Sequence, residues 1–298
     1  MPNAGLRALV PPIAADPLPN GLLGGCVDVV TTTDMHELNG TDMISMSCAE
    51  TNPWQDCPAA DPDNVLVPWV NPGAKLFDRP EACSFEPLTA YAGVECSTFG
   101  ISFPEAQARA LDQLRMGEQR TLEAFFATRG LAAMAMGNDL TPAGGAVHIV
   151  AGIGLLEEWL ADNFGGTGLL HVPVRASGLL STNYLVPFAS DETCPTTLAG
   201  NGVVIGAGYS AMTGPYTAAQ TPGVAAPAGE AWLYVTPPMR IRRDAPSLSM
   251  SAEWQGVNTV TNDRRAVAES TFVAEVSCCM GAAIRVSLDP CFCGAVAA

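Results

Sequence analysis

The stretch SFPEAQARALDQLRMGEQRTLEAFFATRG, residues 102–130, is the one from which the architecture is read. Ser102-Phe103-Pro104-Glu105 is a helix start, with proline in the first turn and an early acid, and Gly130 supplies the stop. Leu111, Leu114, Leu122 and Phe125 recur at helical intervals, and Gly117 is the one weak point. From Pro104 to Arg129 such a helix measures about 39 Å at 1.5 Å per residue, so it is a strut. Arg115, Glu118, Arg120 and Glu123 read as its solvated or inter-element face.

The chain around the strut is extended and turn-rich. Residues 1 to 60 carry Pro, Asn, Asp and Gly with brief apolar runs, an arm with little core of its own that neighbouring subunits would hold. Val65 to Cys96 alternates extended segments with Pro68, Pro72, Pro80 and Pro87, which reads as a long two-stranded excursion. Beyond the strut, Ala146 to Asn163 predicts a second helix with Ile149, Ile153, Leu156 and Leu160 on its apolar face. A strand at Leu169 to Val174, a short helix near Ala176 to Phe188 and a strand at Val203 to Ile205 follow. The Gly/Ala/Thr/Pro-rich stretch to Gly229 is irregular, AWLYVTPPMRIRR is a strand pair or bent strand, and two last strands meet near Met280-Gly281.

Composition agrees with an α+β protein of this kind. In 298 residues, 48% are apolar and only 15% charged, with 29 Gly and 24 Pro. That is enough for a core and too many turn residues for a helical bundle. Fourteen basic against thirty acidic residues leave a formal charge of −16, which repels nucleic-acid backbones. No secretory signal or membrane-spanning run is read, since the uncharged stretch Ala143 to Leu156 is too short.

Catalytic signatures fail on inspection. The three histidines are His36, His148 and His171. His148 and His171 read as hydrogen-bonded core residues, and His36-Glu37 meets Gly40 where a zinc-protease helix needs its second His. Gly208-Tyr209-Ser210-Ala211-Met212 starts like a nucleophile elbow but has Met in place of the second Gly. Gly206 to Ala211 matches G-x-G-x-x-A, with Glu230 downstream, yet Gly214-Pro215 breaks the chain where a phosphate-binding helix would run. The ten cysteines include Cys278-Cys279 and Cys291-x-Cys293, whose spacing is wrong for a structural zinc site. Buried or free thiols are their default, and disulfides formed after release from a cell are the other reading. Arg240, Arg242, Arg243, Arg264 and Arg265 read as partners for carboxylates within or between subunits. No catalytic, cofactor-binding or metal-binding residue is assigned, and the chain is not read as an enzyme.

Residues 75–126, KLFDRPEACSFEPLTAYAGVECSTFGISFPEAQARALDQLRMGEQRTLEAFF, with GLLEEWLADNFGGTGLLHVP and AWLYVTPPMRIRRD, resemble major capsid proteins of actinobacterial tailed phages, which have the Hong Kong 97-type fold. The likeness spans roughly residues 65 to 288. It implies an N-terminal arm (1–60), an extended β-hairpin loop (61–101), a peripheral domain with the spine helix (102–144 and 251–298) and an axial domain (145–250). It further implies self-assembly through hexamers and pentamers into an icosahedral head that encloses DNA without specific binding, formed in the host cytoplasm. A separate scaffold, a portal and decoration proteins are the expected partners. Some members of the fold join subunits by a lysine–asparagine isopeptide bond, and Lys75, the sole lysine, falls in the implied loop. The alternatives are another virion component (minor shell, connector or tail), an encapsulin-type compartment, or a serine hydrolase using Ser210 with a remote histidine.

Overall fold

The computed structural model describes residues 15–44, 48, 82–97, 102–186, 194–248, 257–258, 260 and 263–291. In chain order these form β1 (Asp28–Thr31), α1 (Met35–Leu38), β2 (Thr41–Ile44), β3 (Ala82–Phe85), β4 (Pro87–Ser97) and α2 (Phe103–Phe125). A π-helical segment (Phe126–Leu131), α3 (Ala132–Met134), α4 (Ile149–Asn163), β5 (Leu169–Pro173), α5 (Val174–Thr182) and β6 (Gly202–Gly206) follow. The chain then forms β7 (Glu230–Thr236), β8 (Met239–Arg243), β9 (Ser247–Leu248), β10 (Val257–Asn258), β11 (Asp263–Val276) and β12 (Ala282–Ser287). Residues 1–14, 49–81 and the tail beyond 291 lie outside the described residues, and Lys75 with them.

Strand β11 organises the larger sheet. It pairs antiparallel with β4 from Asp263↔Ser97 to Val273↔Pro87, with β8 at its far end, and with β9 and β10, while β1 adds parallel to β8. Ala266, Ala268, Ser270 and Phe272 alternate along one face and are buried, the period of two that a half-covered strand requires. The spine helix α2 lies on that face. Its buried residues Ala106, Ala110 and Leu114 meet Ala90, Ala92, Ala266 and Ala268 in one cluster, so short side chains on both sides allow close approach.

A second sheet, in the order β12-β7-β5-β6, has both faces covered. Along β7, Ala231, Leu233 and Val235 turn towards Ile149, Ile153, Leu156 and Leu160 of α4, while on the other face Trp232 Nε1 donates to Val224 O and the Tyr234 hydroxyl to Thr213 O. Two crossings carry the chain between the sheets: β7 to β8 through Pro237-Pro238, and β11 to β12 through the turn at Ser277–Cys279. The two are hydrogen-bonded, Ser277 N donating to Pro238 O at 3.0 Å.

Strand β8, placed in the 145–250 unit, belongs to the larger sheet, and β12, placed in the 251–298 unit, belongs to the smaller one. AWLYVTPPMRIRR is therefore two strands in two sheets, because consecutive prolines cannot continue a ladder.

Three other expectations change. The strut does not stop at Gly130. It passes through the π-helical segment to Met134, with Thr128 Oγ1 donating to the Ala124 and Phe125 carbonyls and the Phe126 ring packed where a Cβ on Gly130 would sit. The described part of the arm, 15–44, is held by its own chain: Leu22 is fully buried in the core and β1 pairs with β8. The described part of the 61–101 segment is no free hairpin, since β3 pairs with β2 and β4 with β11.

Two mid-helix glycines test this packing. Around Gly117 of α2 there is open space for a Cβ, whereas at Gly152 of α4 a Cβ would lie 2.6 Å from Val286 Cγ1. Gly117→Ala is expected to stabilise the isolated chain by about 0.5–1 kcal/mol through helix propensity. Gly152→Ala is expected to destabilise it by about 1–3 kcal/mol through overpacking against a stiff β-branched residue. Denaturant melts of the two variants give the comparison.

Candidate functional site

The polar groups that the fold brings together gather on the spine helix. Glu123 is fully buried, and each of its oxygens accepts from a distant backbone: Oε1 from Leu22 N at 3.1 Å and Oε2 from Gly208 N at 2.8 Å. One helical turn earlier, Gln119 Nε2 donates to Leu18 O at 3.0 Å. Two glycines make this approach feasible. A Cβ on Gly21 would fall 2.0 Å from Gln119 Nε2, and one on Gly208 would fall 2.3 Å from Arg120 O. Burial raises the Glu123 pKa, and the backbone donors Gly208, Leu22 and Ala207 oppose that rise.

Against the same stretch of helix lies a second buried group. His171 is fully buried, with Nδ1 2.7 Å from the Tyr209 hydroxyl and Nε2 2.9 Å from Thr236 Oγ1. The Tyr209 and Phe126 rings pack against it. Burial pushes its pKa down to about 3, and burial together with the nearby Glu123 pushes the Tyr209 phenol well up. The expectation of a hydrogen-bonded core histidine holds for His171. It fails for His148, which is half-buried and caps α4 by accepting from Val150 N at 3.3 Å. His36 is exposed in the short helix α1.

Charged pairs tie the arm and the helix to the larger sheet. Arg243 is bidentate to Glu118, at 3.1 and 2.9 Å, and stands 5.0 Å from the centre of the Phe272 ring. Arg242 reaches Glu275 at 2.7 Å and Glu37 at 2.8 Å, and its pKa is raised first by the Glu275 hydrogen bond. Arg240 meets Asp28 at 2.7 Å, and Arg265 meets Glu95 at 2.9 Å. The expected carboxylate partners of Arg240, Arg242, Arg243 and Arg265 are thus within the chain; the Arg264 side chain lies outside the described residues. Glu118 and Glu123, expected on a solvated or inter-element face, are inter-element groups.

The weighed catalytic motifs do not assemble. Gly208 opens a short 3₁₀ turn, Gly208–Ala211, with no α-helix after it. Its N–H, which a dinucleotide phosphate would need, is given to the Glu123 carboxylate. Ser210 is exposed and bonds to none of the three imidazoles, and both nitrogens of His171 already face hydroxyls. Cys278 and Cys279 are in disulfides, to Cys48 and Cys83, and Cys26 is joined to Cys194. The default of free or buried thiols is corrected at these six positions. Among the described residues no group of three or more His, Cys, Asp or Glu is placed to hold a metal ion, and no helix is long and apolar enough to cross a membrane. The site that emerges is a mechanical junction, in which a buried carboxylate and paired charges join arm, helix and both sheets.

No protein-family model and no curated protein matches the chain. Solved structures do. The capsid of a native GTA particle is 12% identical, with a TM-score of 0.51 over 94% of this chain and 96% of that one. A structure from Microbacterium phage Oxtober96 is 11% identical, with a TM-score of 0.48 over 96% of both chains. An encapsulin complex from Synechococcus elongatus is 13% identical, with a TM-score of 0.43 over 71% of this chain and 78% of that one. At such identity the likeness is one of fold, and the fold is the α+β Hong Kong 97 type anticipated from the sequence.

Two measurements probe the junction. Glu123→Ala leaves two buried N–H groups without an acceptor and is expected to cost roughly 3 kcal/mol, with the 15–31 segment newly open to limited proteolysis. For His171, the folded pKa of about 3 lies below the ordinary 6.5, so the unfolded chain takes up the proton first. Its contribution is complete above about pH 6.5 and is lost as pH falls towards 3, by up to about 1.4 kcal/mol per unit. The raised Glu123 has the opposite sign above its ordinary 4.5, so the test is a difference: between pH 7 and 4 the melting temperature of the parent chain should fall relative to His171→Gln.

Proposed function

We propose that this chain is the major capsid protein of a tailed bacteriophage, of the kind found in phages of actinobacteria. The observation that carries this reading is a fold shared with the capsid of a GTA particle over nearly the full length of both chains. Identical subunits form hexamers and pentamers that close into an icosahedral head around DNA, and the stability of the head comes from many interfaces between copies. In this reading the extended loop that reaches a neighbour is the part of 61–101 that includes Lys75, while 82–97 anchors it in the sheets of its own chain. The larger sheet with the spine helix forms the peripheral part and the smaller sheet the part at the symmetry axes.

Charge supports the role of container. A chain with a formal charge of −16 offers DNA a repelling wall, and the arginines Arg240, Arg242, Arg243 and Arg265 are engaged by carboxylates of the chain itself. Exposed apolar residues are available for neighbours, among them Tyr91 on β4 of the larger sheet and Ile44 on β2. Assembly takes place in the host cytoplasm with a separate scaffold, and portal and decoration proteins complete the head. No catalysis is part of this reading.

Sedimentation of purified particles after nuclease treatment tests it. The chain is expected to travel as one large species together with nuclease-resistant DNA. Large shells that carry protein cargo and no DNA would move the chain to a compartment, and small oligomers would remove the shell reading. Tyr91→Glu is expected to leave the circular dichroism spectrum unchanged while lowering the yield of particles at least several-fold, since the ring is largely exposed in the single chain.

A further inference from the structure

Each of the three disulfides joins segments far apart in the chain. Cys26 lies just before β1, in the larger sheet, and is joined to Cys194 on the approach to β6, in the smaller one. Cys83 lies in β3, and Cys48 shortly after β2, the partner of β3. They are joined to Cys279 and Cys278, consecutive residues of the turn that carries the chain from β11 to β12. Cys26–Cys194 therefore ties the approach to the larger sheet to the approach to the smaller one, and the other two bonds tie the separate β2–β3 pair to the turn that crosses between those sheets. The Cα–Cα distances, 4.6, 5.6 and 6.0 Å, are those of disulfide-bonded pairs.

The Cys278-Cys279 turn is unusual in its backbone. Cys278 has φ of 64° and Cys279 φ of 45°, the left-handed region that costs a residue with a side chain roughly 1–2 kcal/mol. Two consecutive residues in that conformation persist only where their surroundings hold them. Non-covalent ties already hold the segments that carry these cysteines: Leu22 in the core, the Glu123 bonds, β1 on β8, β2 on β3, and Ser277 N on Pro238 O. The thiols can thus be placed by folding and joined afterwards. Five of the six cysteines are only half-buried, within reach of a small oxidant.

We propose that these six cysteines form an oxidative clasp, a covalent modification made after folding that locks the N-terminal segment and the β2–β3 pair onto the two larger sheets, with the vicinal pair Cys278-Cys279 as its double anchor. The co-reactant is a small-molecule disulfide such as oxidised glutathione. For each clasp bond one S–S bond of the oxidant breaks and one protein S–S bond forms. Two electrons pass from the protein thiols to the oxidant, and the two thiol protons leave on the two small thiols released. The inference rests on the fold, and takes the shell only as the form in which the chain is handled.

The test is disulfide mapping by mass spectrometry of particles that have been treated with oxidised glutathione, alkylated and digested without reductant. Cys26 should be linked to Cys194, and Cys48 and Cys83 to the peptide that contains Cys278-Cys279. Cys278→Ser should open Cys48 to alkylation and leave Cys83 protected, and Cys279→Ser should do the reverse. Reduction of the unmutated particle should lower its apparent melting temperature by ~10 °C or more, since bonds that close such long chain segments are each worth about 2–4 kcal/mol. All six thiols open to alkylation after oxidation would overturn the clasp, as would melting unchanged by reduction. If no particle forms, the same mapping on the soluble oxidised chain decides the matter: linked peptides there keep the clasp while the shell reading falls, and unlinked ones remove the clasp.

Discussion

A carboxylate cannot be buried without donors to meet it, and Glu123 is the point at which this requirement organises the molecule. Its donors come from Leu22 and Gly208, 101 residues before it and 85 after it in the chain. Satisfying one side chain therefore fixes where the N-terminal segment crosses the spine helix and where the turn after β6 docks. The glycines at 21 and 208 follow from the same constraint, because a Cβ at either place would occupy the position of helix atoms. Around this node the Glu118–Arg243 pair and the His171–Tyr209–Thr236 contacts extend the junction to the larger and the smaller sheet.

The helix can serve two sheets because its two halves differ. Its first half carries Ala106 and Ala110 and presses on the alanine-rich face of β4 and β11. Towards its end, Glu123 binds the turn after β6, and Phe126, which opens the π-helical segment, packs on His171 of β5. Strands β7 and β8, consecutive in the chain, are split between the sheets by Pro237-Pro238, and β11 and β12 by the Cys278-Cys279 turn. A long strut seated between two sheets, with extended chain lying across it, suits a subunit whose work is mechanical.

Local chemistry made much of this legible. The Ser102 start became a capping box, with Ser102 Oγ and Glu105 bonded in both directions, and the α4 face at Ile149, Ile153, Leu156 and Leu160 is the one the spacing gave. What stayed hidden depends on distant partners. Gly130 reads as a stop because nothing local reveals the Phe126 ring beside it. Ala106 and Ala110 carry too little hydrophobic signal to stand out, yet both are fully buried in the helix–sheet contact. Alternation cannot say which strand β8 or β12 will join, so their places in the larger and the smaller sheet appear only in the fold. His148 looks like part of an apolar run, and only the backbone shows it to be a cap. The cysteine pairing, across separations of 168 to 230 residues, has no local trace. Glu123 looks like any acid on a long helix until its donors are seen.

The central claim is that this junction-built subunit closes a shell with its own copies. Cryo-electron microscopy of the native assembly addresses that claim most directly. The account predicts icosahedrally arranged hexamers and pentamers of this chain, with the spine helix held between the two sheets in every copy. Rings, tubes or isolated subunits would contradict it and place the protein in a connector, a tail or another role altogether.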